Sequence, residues 1–154
     1  MEKNALPTYK IYKNLAALNE LDGAEAEAAF RECCGLGEWC RRMAEARPFA
    51  LVEDLFTAAE QIWFAVSPEA RLEALQAEAG NSRSMAAPED SNIRNLYEAR
   101  FGIVFIVDPT GRSDKEIADI CRARVSNSAE SELSIAASEL ITIIQGRLAK
   151  LLER

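Results

Sequence analysis

The stretch YEARFGIVFIVDPTGRS, residues 97–113, decides the fold. Inside it, Ile103, Val104, Phe105, Ile106 and Val107 are all β-branched or aromatic, the composition of extended chain. This run follows Phe101-Gly102 and ends in a polar turn carrying Asp108, Pro109, Gly111 and Arg112. It is the only compact run of its kind in the chain, and a lone strand has nothing to pair with. The expectation is therefore an all-α protein with one extended, buried segment at 103–107, forming the inner wall of a pocket.

Working outward, helical signals dominate on both sides. Residues 1–7 read as a loose arm ending at Pro7, and a helix follows from Thr8 with Ile11, Leu15 and Leu18 at helical spacing. Asp22 and Glu25 form a capping box that starts an Ala/Glu-rich helix stopping at Gly35. Over 38–46, Trp39, Cys40 and Met43 share a stripe, and Pro48 then breaks the helix. Leu55, Ala59, Ile62, Trp63 and Val66 give the helix over 51–66 a broad apolar face. Ser67-Pro68-Glu69 starts another, running to about 79 with Leu72 and Leu75 inward. Residues 80–91, GNSRSMAAPEDS, have loop composition, and a helix over 92–100 leads into the extended run. Ser113/Glu116 and Asn127/Glu130 are two further capping boxes. The last helix is expected to bury Leu133, Ala137, Leu140, Ile144, Leu148 and Leu151. The sum is a compact bundle of about seven or eight helices in a single domain, 1–154.

Composition narrows function. Hydrophobic residues at 49% and charged residues at 28% suit a globular protein. A net charge of −7 argues against nucleic-acid binding. No apolar run is long enough to span a bilayer, and MEKNALPTYK lacks the apolar core of a signal peptide. Four cysteines without such a signal point to reduced thiols and a cytoplasmic protein. The chain has no histidine at all. That removes Ser-His-Asp and Cys-His hydrolysis and His-containing zinc sites, and leaves acid–base work to a carboxylate, Cys, Lys or Tyr.

Cys33, Cys34 and Cys40 do not have zinc spacing and read as small apolar groups; Cys121 reads as core. Trp39 and Trp63 read as core aromatics. Arg47 sits at a helix break or at a pocket mouth. Tyr97 and Arg100 share one helix face just before the extended run. Arg112 precedes a helix N-terminus, where amides favour anions such as a carboxylate or ureido group. Glu78, beside a helix end, reads as a solvated acid when taken alone.

In combined order, these blocks resemble the OHCU decarboxylase family, whose members decarboxylate 2-oxo-4-hydroxy-4-carboxy-5-ureidoimidazoline to (S)-allantoin. The blocks are Leu18-Asn19, Phe30, CCGLGEW, Met43, RPF, Trp63, RLEAL, YEARFG with IVFIV and TGRS, and RARVSNSAESEL through GRLAKLLE, over most of 15–153. The resemblance implies an all-α, cofactor-free and metal-free lyase, commonly dimeric, taking a small anionic heterocycle. It places substrate contacts at Arg47, Tyr97, Arg100, Phe101, Gly102, Ile103 and Arg112. Two departures stand out. The family's catalytic His-Pro pair falls on Glu78-Ala79, making Glu78 the candidate catalytic residue. The segment that supplies a serine and a glutamate is shortened to GNSRSMAAPEDS, leaving Ser84 and Glu89 as nominal equivalents. Three readings follow: a non-catalytic or altered relative, an active decarboxylase using Glu78, or a helical interaction module without a pocket.

Overall fold

The computed structural model describes residues 14–78 and 91–154, and its described residues are helical and extended, with no strand among them. The expected arm at 1–7, the start of the first helix, Ser84, Glu89 and most of the expected loop lie outside the described residues. Residues 14–20 are helical (α1). Then come α2 (Gly23–Arg31), α3 (Gly37–Glu45), α4 (Val52–Ala65), α5 (Pro68–Ala77), α6 (Ser91–Phe101), α7 (Asp114–Arg124) and α8 (Ala129–Glu153). No described helix is long and apolar enough to cross a membrane. The chain divides into two compact units. One takes in the described residues up to Pro68 together with Ile143–Arg154, and the other is Glu69–Thr142.

The first unit is built on aromatic packing and side-chain clamps on backbone carbonyls. Phe30 of α2 meets Trp39 of α3 edge-on, with centroids 6.0 Å apart. The Trp39 indole N–H donates to Ala59 O of α4 at 3.1 Å, which satisfies the polar atom of a fully buried ring. Asp22 and Glu25 form the expected capping box at α2. Between α3 and α4, Arg47 lies before a cis Arg47–Pro48 bond. Its Nη1 donates to Leu18 O at 2.8 Å and Leu21 O at 2.7 Å, and its Nε to Ala44 O at 2.9 Å. Asn19 both donates to Phe49 O and accepts from Phe49 N–H, each at 2.9 Å. The arginine thus serves carbonyls left open at helix ends, and the asparagine holds the segment between α3 and α4. The C-terminal stretch of α8 is tied in by Gln145 to Phe56 O and Arg147 to Cys33 O.

Cys33, Cys34 and Cys40 are buried in this unit as free thiols, as their spacing suggests. The Cys40 thiol donates to Cys34 O at 3.3 Å. Burial pushes Cys33 up to about 12 and Cys40 up to about 11 from an ordinary value of 9.0.

The second unit surrounds the extended run. Residues 103–107 are all buried, as predicted. They are held by a polar core centred on Glu132, which is fully buried. Glu132 accepts from the Tyr97 hydroxyl, from Arg124 Nε at 2.7 Å and also from Arg124 Nη2, and from Asn127 Nδ2 at 3.1 Å. Arg124 Nη1 donates to Ile106 O at 2.8 Å. Its guanidinium lies 4.7 Å from the Phe105 ring centroid and 5.8 Å from that of Tyr97. A buried carboxylate with four donors and an arginine over two aromatic faces is one of the few arrangements in which desolvated charges are tolerated.

Two boundary expectations shift. The cap of α8 is Ser128 rather than Asn127: Ser128 Oγ accepts from Ser131 N–H at 3.1 Å, while Asn127 turns to Glu132. The buried stripe of α8 runs through Glu132, Ala136, Leu140, Ile144 and Leu148, so Leu133 and Leu151 are only half-buried. At the start of the helix the Glu132 carboxylate takes the inward position that a hydrophobic reading gives to Leu133.

Two outcomes follow. Tyr97→Phe removes one donor from a buried carboxylate and is expected to cost about 1.5–3 kcal/mol in urea unfolding. The raised thiol values mean that Cys33 and Cys40 stay protonated in the folded chain. Their stabilising contribution is complete below pH 9 and falls as pH rises through about 11 to 12. Native protein at pH 8.5 should resist a thiol reagent, whereas urea-unfolded protein should react at all four cysteines.

Candidate functional site

The helix α6 ends on Tyr97, Arg100 and Phe101, and Gly102 then turns the chain into the extended run. Gly102 has φ +73°, a left-handed conformation that suits glycine after a helix, and its N–H closes the last turn onto Glu98 O at 2.9 Å. Tyr97, Arg100, Phe101, Gly102 and Ile103 follow one another along this turn but differ in exposure. Tyr97 and Ile103 are buried in the core, Phe101 is half-buried, and Arg100 is exposed. The Tyr97 ring packs against Phe101 (4.8 Å) and Phe105 (5.3 Å). Its hydroxyl is committed to Glu132, and burial followed by that hydrogen bond pushes its ionisation far above the ordinary range. It is a fixed donor rather than an acid–base group. Arg100 lies over Phe101 at 5.1 Å and donates from Nη2 to Asn127 O at 3.0 Å.

Arg112 lies in the turn after the run. Its Nη1 donates to Asp108 O at 3.2 Å and stands 3.7 Å from Glu139. Glu139 also accepts from Asp108 N–H at 2.7 Å, so an internal carboxylate already occupies the position where this amide and guanidinium meet. At the start of α7 the cap and one helix amide are engaged as well. Ser113 Oγ accepts from Glu116 N–H at 3.1 Å, and Glu116 accepts from Ser113 N–H at 2.8 Å, which holds the Glu116 carboxyl below its usual range. Two of the chain's own acids, Glu139 and Glu116, thus lie beside Arg112 and the α7 cap, where the sequence reading places an anion.

Glu78 lies just past α5, is only 3% exposed, and donates its N–H to Leu75 O at 3.2 Å. The burial overturns the simple reading of a solvated surface acid. Arg47 belongs to the first unit, where its guanidinium clamps helix-end carbonyls. The sequence reading missed Arg124, Glu132 and Glu139, and read Asn127 only as a helix cap. A signal was present for two of them. Arg124 continues the Ile117–Cys121 stripe, and Glu132 stands one helical turn before Ala136 and two before Leu140, so each is a charge on a buried face. Among the described residues, no group of three or more His, Cys, Asp or Glu is arranged to hold a metal ion.

The comparisons agree with this architecture. The family model for OHCU decarboxylase matches residues 19–86 and 76–149. A uric acid degradation bifunctional protein of Arabidopsis thaliana is 30% identical over 152 residues, covering 81% of this chain and 47% of its own length; the chain thus spans about half of that relative. A 2-oxo-4-hydroxy-4-carboxy-5-ureidoimidazoline decarboxylase of Haloferax volcanii is 28% identical over 158 residues, covering 88% of this chain and 94% of the relative. Among solved structures, an OHCU decarboxylase crystallised in the presence of (S)-allantoin superposes with a TM-score of 0.72 at 29% identity, over 81% of this chain and 97% of that one. An (S)-allantoin synthase shares the fold alone, with a TM-score of 0.75 at 16% identity over 89% of this chain and 53% of that one. From the extended run and its buried polar core to the family match over both units, the chain belongs to the OHCU decarboxylase family.

Proposed function

We propose that this chain is an OHCU-decarboxylase-like protein of urate degradation in which histidine-dependent decarboxylation has been lost or altered, while a site for a small anionic heterocycle remains. The observation that carries the reading is the absence of histidine from all 154 residues. Decarboxylating OHCU requires departure of the carboxylate, delocalisation of charge into the imidazoline and stereocontrolled return of a proton. An imidazole titrating near neutral pH suits the proton steps, and loss of a general acid–base group typically costs about 10²–10⁴-fold. The matched stretch in the Haloferax relative adds support. The match runs over 158 positions but takes in only 88% of this 154-residue chain, which supports a chain shorter than the relative within the matched stretch.

One observation favours a second reading, in which decarboxylation survives with Glu78 as the acid–base group. Glu78 is buried, as a group shielded for proton transfer would be, and it stands where the resemblance puts the family's histidine.

The test is to generate OHCU in situ and follow (S)-allantoin by circular dichroism. The proposed reading expects the spontaneous rate and a racemic product. Acceleration with enantiomeric excess would reject it, and if Glu78→Gln abolished that acceleration, the second reading would take its place.

A further inference from the structure

Arg100 is exposed, yet it is held from two sides. On one side its guanidinium covers the Phe101 ring, and Phe101 packs at 4.8 Å against Tyr97, whose hydroxyl donates to Glu132. On the other, Arg100 Nη2 donates to Asn127 O, and Asn127 Nδ2 donates to the other oxygen of the same Glu132 carboxylate. Asn127 N–H is closed onto Arg124 O at 3.1 Å, so its amide N–H, carbonyl and side chain are all engaged. Both routes from the exposed cation end on one buried carboxylate. Every residue in this ring lies in the second unit. Among the described residues, no carboxylate pairs with Arg100, in contrast to Arg112, which has Glu139.

A free arginine side chain loses considerable rotamer entropy when it binds a ligand. A guanidinium fixed over an aromatic face and by one N–H has lost much of it before the ligand arrives, and it keeps donors for a forked contact with a carboxylate. We infer that Asn127 is a positioning residue: it holds the Arg100 guanidinium ready to receive the carboxylate of a small ureido acid. This rests on the proposed reading that the site takes a small anionic ligand.

The test is calorimetric titration of the full chain with allantoate, a stable ureido carboxylate, together with the NMR signal of the Arg100 Nε–H. Arg100→Gln is expected to weaken binding about tenfold or more, since it removes a charge-assisted contact. Asn127→Ala is expected to weaken it about threefold and to broaden the Arg100 signal. The double variant should bind no worse than Arg100→Gln, because Asn127 acts through Arg100. If Asn127→Ala fails to fold by far-ultraviolet circular dichroism, Asn127→Ser, too short to reach Glu132, replaces it. No binding of allantoate by the unaltered chain would overturn this inference, while the heterocycle reading is decided by its own test. Undiminished binding by Arg100→Gln would overturn the inference alone. So would an unchanged Arg100 signal in the Asn127 variant, or additive losses in the double variant.

Discussion

A carboxylate without access to water must be given donors by the fold, and Glu132 organises its half of the molecule on that condition. Its donors come from three places: Tyr97 on α6, Arg124 at the end of α7, and Asn127 in the turn before α8. Through Arg124, the same carboxylate reaches the backbone of the extended run at Ile106 O. Among the described residues the run has no strand to pair with, so its backbone groups need side-chain partners: Arg124 supplies one at Ile106 O, and Glu139 takes the Asp108 N–H just after the run.

This arrangement explains what could be read from the sequence. Helices with apolar stripes and capping boxes were legible because periodicity and caps are local properties; Asp22 with Glu25 and Ser113 with Glu116 form as read. The extended run was legible from its β-branched residues and the absence of a partner. Residue pairs joined over a long separation were not. Nothing local in Arg47 shows that it serves carbonyls of residues 18–21, and nothing local in Glu132 shows that Tyr97 will donate to it. The cap of α8 was misplaced by one residue because Asn127 donates to Glu132, five residues on, whose burial depends on the distant Tyr97.

The family blocks carry the same lesson. Leu18-Asn19 and Arg47-Pro48-Phe49 look unrelated in sequence, yet the structure joins them through reciprocal hydrogen bonds. Phe30, Trp39 and the Ala59 carbonyl form another joined set, and the run from Tyr97 through Arg124 to Glu132 a third. Most of what marks this chain as a family member is therefore what holds the fold together. Chemistry is written in fewer residues, and there the chain departs: it has no imidazole, and Glu78 stands buried at the position where the resemblance implies one. A scaffold fixed by structural contacts leaves room for the proposed change in the reacting group, because fold and chemistry depend on different residues.

The most direct test of the claim that the Arg124–Glu132 pair holds the second unit together is a double-mutant cycle. Arg124→Met, Glu132→Leu and the double variant would be compared by urea unfolding. Removing either partner alone strands a buried charge and is expected to cost about 3–5 kcal/mol, with the double variant losing far less than the sum of the two. Small losses in the single variants that simply add in the double would contradict it.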